Sequence, residues 1–175
     1  MPRELPCETS VREAMTAFFD QDTHRIEHTL QVTSYAKELL ESFPGANPEI
    51  VVFAALLHDI GIKPAEEKHG SAAPRFQEME GPPVAKAILA EAAAGHAVIS
   101  AVADIVGHHH TPGVVDTVEF RIVYDSDWLV NLPDVYDLAS QTPTELTRII
   151  DQVFLTNPGR TRAKAMYLPP RKGTS

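Results

Sequence analysis

The residues with the clearest chemical potential are His58 and Asp59, two adjacent polar residues at the end of a strongly apolar stretch. The eight residues before them, 50–57, are all apolar, which predicts a buried helix. Because an unpaired buried carboxylate costs several kcal/mol, Asp59 needs a cation, a proton or strong hydrogen-bond donors. A metal ion would satisfy this pair, and so would hydrogen bonds to neighbouring backbone.

Two further residues, His28 and Asp127, could complete a metal site. His28 lies on the apolar side of a predicted helix, where it is either a metal ligand or a hydrogen-bonded core residue. Asp127 lies among apolar residues, and Asp125 differs from it by about 200° around a helix axis, so we expect only one of the two to face inward. Two histidines and two carboxylates would form a nitrogen and oxygen site with room for water, as a catalytic metal needs.

The elements that must position these residues are helices, because apolar residues recur at spacings of three and four positions throughout the chain. We find no alternating pattern long enough to seed a sheet, and we therefore predict an all-α fold. The predicted helices span about residues 10–20, 24–42, 47–59, 81–94, 97–106, 118–132 and 142–156. Gly61 is predicted to stop the third helix, residues 62–80 to form an irregular connection, and Pro133 to end the sixth helix.

The composition limits the classes of function. The 175 residues fit a single domain, and no apolar run is long enough to span a bilayer. The first ten residues do not resemble a secretory signal, so we expect a cytoplasmic protein. Cys7 is the only cysteine, which excludes an internal disulfide and a thiolate cage. The formal charge of −9 argues against general nucleic-acid binding.

The chain is predicted to have three parts. Residues 1–23 supply an N-terminal helix that packs on the core, residues 24–156 form the main domain, and residues 157–175 form a basic tail. This tail is interpreted as solvated and partly ordered, although it could also guide an anionic substrate or pack against a second subunit of a homodimer. Its basic residues are Arg160, Arg162, Lys164, Arg171 and Lys172.

Three motifs in order, His, then His-Asp, then a distant Asp, resemble those of the HD superfamily of metal-dependent phosphohydrolases. They are Arg25-Ile26-Glu27-His28, Leu56-Leu57-His58-Asp59-Ile60-Gly61 and Asp125-Ser126-Asp127-Trp128-Leu129, and the resemblance covers about residues 24–132. It implies a single-domain helical bundle with five core helices. It also implies a divalent ion (Mn, Fe, Co, Ni, Zn or Mg) between these helices, bound by His28, His58, Asp59 and Asp127, with Asp127 preferred over Asp125.

The resemblance further implies hydrolysis of a phosphate ester, of a nucleotide or another small phosphorylated metabolite, by a metal-activated water that Asp59 helps to orient. A basic residue should contact the phosphate, since the transition state spreads negative charge over its oxygens. The candidates are Arg25, Lys63, Lys68 and Arg75. Trp128, Tyr35 and Phe76 are either core residues or stacking partners for a nucleobase.

The histidines after the His-Asp motif bear on the number of metals. His108-His109 resembles the His-His step of family members that hold two or three metals, but their earlier histidine has no clear counterpart here. Gln77, Glu78 or Glu80 could stand in its place. We therefore favour one metal with His108 or His109 as an acid, base or phosphate contact, and keep Glu80, His108 and His109 as second-metal candidates. His110 is expected to face solvent.

Two alternatives to a phosphohydrolase remain open. Some proteins with this fold use paired irons to oxidise a small polar molecule, which requires the second ligand set. The other alternative is a non-catalytic regulatory module in which the metal only stabilises the fold.

Overall fold

A computed structural model of the chain describes residues 5–169 and contains α-helices, one 3₁₀ turn at Leu138–Ser140 and an isolated bridge between Pro112 and Val115. The all-α prediction is confirmed. The helices are α1 (Glu8–Phe19), α2 (Thr23–Leu40), α3 (Pro48–Leu57), α4 (Ile62–His69), α5 (Pro74–Glu91), α6 (His96–Val106), α7 (Val118–Val135), α8 (Pro143–Val153) and α9 (Asn157–Tyr167). Over the described residues, none of these helices combines the length and the apolar character that a membrane crossing requires.

Helix α3 forms the centre of the bundle. Its residues 51–57 are all buried, as expected of a helix that is apolar on every side. The Asn47 side chain caps its first turn by accepting hydrogen bonds from the Glu49 and Ile50 backbone N–H groups. Helices α1, α2, α6 and α7 pack around α3, and α2 also packs along α7. His58, directly after α3, therefore faces side chains from both α2 and α7.

The connection after the His-Asp motif is more regular than predicted. Residues 62–80 contain the whole of α4 and the first part of α5, which continues through Pro82 and Pro83 to Glu91. The prediction of an irregular segment was wrong because it relied on polar composition. The two helices need only one buried side each, and Pro74 occupies the first turn of α5, where its missing N–H costs nothing.

Gly61 is needed for a close approach between two backbones and not for a helix stop. It begins α4 with a φ of −75°, a conformation open to any residue. A methyl group on Gly61 would lie 2.2 Å from the Gln77 carbonyl oxygen and 2.8 Å from the Gly81 nitrogen. The absence of a side chain thus lets the turn after His58 and Asp59 pack directly on α5.

Helix α7 does not end at Pro133, as the sequence had suggested, but continues to Val135. Proline at position 133 leaves the Leu129 carbonyl without its usual helical donor. The Tyr167 hydroxyl of α9 donates a hydrogen bond to this carbonyl at 2.5 Å. The final helix of the described chain thereby supports the end of α7.

The described part of the predicted basic tail is helix α9, which packs against α7 and α8. Two of its basic residues form ion pairs within the chain: Arg162 contacts Glu38 at 2.7 Å and Lys164 contacts Asp151 at 2.6 Å. The tail, expected to be solvated and partly ordered, is therefore a packed helix and not a solvated segment up to Tyr167. Arg171 and Lys172 lie outside the described residues, and the division at residues 23 and 156 stays a prediction.

Candidate metal centre

Four side chains converge where α2, the end of α3 and α7 meet. His28 of α2 lies with its Nε2 atom 3.1 Å from Asp127 Oδ1 and 3.5 Å from Asp59 Oδ2. His58 lies with its Nε2 atom 3.4 Å from Asp59 Oδ2 and 3.5 Å from Asp127 Oδ1. These are the four residues that the sequence proposed as metal ligands, and the fold brings all of them together.

The histidine hydrogen bonds favour metal binding through Nε2. His58 Nδ1 lies 2.8 Å from the Ala55 carbonyl oxygen, and His109 Nδ1 lies 2.8 Å from that of Val106. Because a carbonyl only accepts hydrogen bonds, Nδ1 carries the proton and Nε2 of the neutral ring keeps its lone pair. Both Nε2 atoms are buried and have no hydrogen-bond partner among the described residues. A divalent cation fits this donor set.

The charge of the centre also favours a cation. Burial alone would lower the pKa of His58, but Asp59 and Asp127 raise it well above its usual value. Burial alone would raise the pKa of Asp59, but His58 and His109 hold it well below its usual range. The carboxylates thus favour a positive charge among them, which either a proton on His58 or a divalent cation can supply.

A second group adjoins the first and consists of Asp59, His109 and His110. One ligand atom from each lies within 4.8 Å of the others, and His109 Nε2 is 3.5 Å from Asp59 Oδ1. His110 is exposed, as expected, but its ring centroid lies 4.0 Å from that of His109 and its Nε2 is 3.3 Å from Gln77 Oε1. Burial, with a smaller effect of His109, lowers the pKa of His110 to about 4.

His108 and Glu80 do not join the centre, so two of the second-metal candidates are misplaced. His108 Nδ1 bonds to the Asp104 carbonyl, 2.9 Å away, one turn earlier on α6. Glu80 pairs with Lys68 and His69 instead, and these two hydrogen bonds lower its pKa. The three consecutive histidines leave α6 in a turn, and sequence alone did not show which two would face Asp59.

Of the four basic residues proposed to contact phosphate, Arg25 alone lines a pocket at the centre. Its guanidinium is also bound by Glu66, at 2.8 and 3.2 Å. Lys63 Nζ donates to the Phe18 carbonyl, and Lys68 pairs with Glu80. Arg75 lies over the Phe76 ring, 4.5 Å from its centroid. The segment that carries the other three candidates is held in α4 and α5, and their role as phosphate contacts stays a prediction.

Two pockets adjoin the candidate ligands and share His110, Asp127 and Asn131. The arginine pocket, about 350 Å³, is lined by His24, Arg25, His28, Asp59, Ile62, Gln77 and the shared residues. The aromatic pocket, about 220 Å³, is lined by His109, Tyr124, Trp128, Asp134, Val135 and the shared residues. Of the proposed stacking residues, only Trp128 lines a pocket here. Tyr35 contacts Arg162 and Phe76 stacks on His69.

Asn131 is a further residue of the site, not predicted from the sequence. Its Nδ2 donates to Asp127 Oδ1 at 2.8 Å, and it lines both pockets. Asparagine four residues after Asp127 lies on the same helix face, so the spacing could have indicated it. The amide fixes the orientation of the Asp127 carboxylate.

Comparison with known proteins agrees with this architecture. The family model for the HD domain matches residues 25–132, more than half of the chain. The chain belongs to the HD-domain family. No curated protein sequence matches it significantly.

The chain is also similar in fold to a crystal structure described as a predicted HD superfamily hydrolase from an uncultured Thermotogales bacterium. The two share 24% identity with a TM-score of 0.58, over 92% of this chain and 83% of that one. This likeness supports the predicted helical fold.

Proposed function

We propose that the protein is a metal-dependent phosphohydrolase that cleaves a small phosphate monoester. The observation that carries this proposal is the buried Nε2 atom of His58, which is directed at Asp59 and Asp127 without a hydrogen-bond partner. Buried polar atoms are rarely left unpaired, so a ligand with affinity for nitrogen and carboxylate oxygen is the economical explanation. The protein of similar fold is described as a predicted hydrolase, which agrees with this choice.

His28, His58, Asp59 and Asp127 would hold the metal ion. A bound divalent cation supplies an acidified water and neutralises charge on a phosphoryl oxygen. Asn131 orients Asp127 by its hydrogen bond, and the Ala55 carbonyl fixes the tautomer of His58. These contacts keep the ligands in place before substrate binds.

The arginine pocket provides the site for the phosphate. Arg25 is the one arginine or lysine that lines it over residues 5–169, and His24 and Gln77 add further polar groups. Asp59 lines the same pocket with 15% of its side chain exposed, so its carboxylate can contact a water that approaches the phosphorus. The hydrolysis would therefore take place at the boundary shared by the two pockets.

A di-iron oxygenase remains the second candidate, because Asp59, His109 and His110 form a further potential metal group beside the first. The two candidates differ in their metal content. A phosphohydrolase needs one bound ion and releases phosphate, whereas paired irons would give visible absorption and require oxygen.

The test combines elemental analysis with phosphate release in wild type, Asp59→Ala and a control, Asp104→Ala. Asp104 is an exposed residue of α6 away from the pockets, so its substitution should change nothing. We expect about one metal ion per wild-type chain and release of phosphate from monoesters such as p-nitrophenyl phosphate, with both lost in Asp59→Ala. Two irons per chain and no phosphate release would contradict the proposal and favour the oxygenase.

A further inference from the structure

The two pockets beside the candidate ligands differ in chemistry, although they share three residues. The arginine pocket carries Arg25 and two histidines, His24 and His28, outside the shared set. The aromatic pocket carries Tyr124, Trp128 and Asp134, and none of its described lining residues is a lysine or an arginine. A ligand that spans the boundary would therefore meet a cationic side chain at one end and an anionic one at the other.

Asp134 has the properties of a recognition group for a cation. It is exposed near the end of α7 and lines the aromatic pocket, so its carboxylate is accessible to a ligand there. No ion pair or hydrogen bond to the Asp134 carboxylate is found in residues 5–169, whereas Asp127, on the same helix, is bound by histidine and amide groups. A carboxylate beside aromatic rings suits a positively charged group.

The rings supply the second element of such a site. The Tyr124 and Trp128 centroids are 6.4 Å apart, and the ring planes are inclined by 53°. Two ring faces inclined to each other form a corner that suits a compact ligand group. A flat nucleobase, in contrast, stacks best on a ring parallel to it. Val135, 58% exposed, adds apolar surface to the same small pocket.

We propose that the aromatic pocket binds an alkylammonium group carried by the alcohol part of the substrate, recognised by Asp134, Trp128 and Tyr124. This inference rests on the proposed phosphohydrolase function and narrows it to a zwitterionic phosphate monoester. The phosphate lies in the arginine pocket. Because Glu66 already binds the Arg25 guanidinium, this pocket suits a single phosphate better than a polyphosphate chain.

The reaction is an ordinary hydrolysis. Water adds its oxygen to phosphorus, the bond between phosphorus and the ester oxygen breaks, and this oxygen takes up a proton. The products are inorganic phosphate and an amino alcohol. No oxidant or further reactant is needed.

A binding measurement tests the pocket without depending on turnover. Trp128 is the only tryptophan of the chain, so intrinsic fluorescence reports on this pocket directly. The full chain is titrated with choline and with its neutral isostere 3,3-dimethyl-1-butanol. We expect choline to bind about 10-fold more tightly, as a cation between aromatic rings and a carboxylate should. Equal binding of the two alcohols, or no saturable response to choline, would overturn the inference.

Two variants locate the source of the preference. Asp134→Asn should lower choline affinity about 10-fold while affecting the neutral alcohol much less. Asp137→Asn removes a neighbouring exposed carboxylate that does not line the pocket, so it should keep the preference. If both variants weaken choline binding equally, a general surface charge effect replaces the proposed pocket.

Turnover separates this inference from the function on which it rests. The metal-loaded protein is assayed with phosphocholine, 3,3-dimethylbutyl phosphate, adenosine monophosphate and p-nitrophenyl phosphate. We expect the highest kcat/KM with phosphocholine, about 10-fold above its neutral isostere. Hydrolysis without this preference, or with the nucleotide preferred, would overturn the ammonium pocket and leave the phosphohydrolase in place. No release of phosphate from any ester would overturn both.

Discussion

Asp125 and Asp127 lie two residues apart on α7, and the helix turns them to opposite sides. Asp127 faces α2 and α3, where it meets His28, His58 and Asn131. Asp125 faces the junction of α8 and α9, where it accepts hydrogen bonds from the Leu155 and Thr156 backbone N–H groups and from the Thr156 hydroxyl. Both carboxylates are buried, so burial alone does not distinguish a metal ligand from a structural residue.

The two carboxylates differ in their partners and in the direction of their pKa shifts. Burial raises the pKa of Asp125, and its hydrogen bonds to neutral groups offset only part of this. Burial would also raise the pKa of Asp127, but the hydrogen bond with His28 and the nearby His58 bring it below its usual value. Neutral partners thus mark a structural carboxylate, and basic partners mark a potential ligand.

The largest effect is expected from Asp127→Ala. The substitution removes a proposed ligand, and we expect metal binding and phosphate release to fall by more than the ~10–100-fold that changes in supporting residues cause. The fold should persist, because the neighbouring side chains of α7 still pack on the core. Metal titration measures the loss of metal binding, and helical circular dichroism checks that the fold persists. Retained metal binding would contradict the assignment of Asp127.

Asp125→Ala should affect stability instead. It leaves the buried N–H groups of Leu155 and Thr156 without their acceptor, which should lower the free energy of unfolding by about 3 kcal/mol. Metal content per folded chain should stay at the wild-type value. Urea denaturation measures the first quantity and elemental analysis the second. If the variant kept normal stability but lost its metal, Asp125 would be a metal ligand and not a structural residue.

Asn131→Ala tests the support of Asp127 from the same helix. Loss of the hydrogen bond to Asp127 Oδ1 should weaken metal affinity about 10–100-fold, with little loss of stability, because Asn131 is only partly buried. Competition with a chelator measures this affinity. Asn131→Asp keeps the size of the side chain but adds a negative charge, and it serves as the matched variant. Unchanged affinity in Asn131→Ala would remove Asn131 from the site.

Tyr167→Phe is the matched change on the Asp125 side of α7. It removes the hydroxyl that donates to the Leu129 carbonyl and should cost about 1 kcal/mol of stability. Thermal unfolding at constant metal concentration detects the change. Metal affinity should not change, since Tyr167 lines neither of the two pockets. A drop in affinity comparable to that of Asn131→Ala would show that the two sides are coupled.

The smallest expected effect is a dependence on pH that follows from the raised pKa of Asp125. A group whose pKa is higher in the folded chain contributes stability that is present below its unfolded pKa and lost as pH rises through its folded pKa. In metal-free protein, the stability of wild type relative to Asp125→Asn should therefore fall as pH rises through that window. Urea denaturation at a series of pH values measures the difference. A gap that widens with pH would show that the carboxylate is stabilised in its ionised form.

The sequence was sufficient for the central elements and for the choice of four residues that the fold brings together, whose role as metal ligands stays a prediction. The apolar run of α3 predicts a buried helix, and the His-Asp pair at its end follows from that pattern. The expectation that only one of Asp125 and Asp127 faces inward was wrong, because helix α9 covers the second side of α7. Such cover is a long-range contact that local periodicity does not report.

The second group shows the same limit. His110 rather than His108 joins His109 because the chain leaves α6 in a turn, where the spacing rules of a helix no longer apply. Gln77 accompanies His110 because the Gly61 backbone brings α5 close to the turn after Asp59. Neither arrangement is encoded by the local pattern of residues around it.

A crystal structure of the protein grown with manganese, with anomalous data, tests the central claim most directly. We expect an anomalous peak for a manganese ion coordinated by His28, His58, Asp59 and Asp127, with Asp125 still hydrogen-bonded to Leu155 and Thr156. A manganese ion coordinated by other residues, or no anomalous peak at a manganese concentration that supports phosphate release, would contradict this assignment.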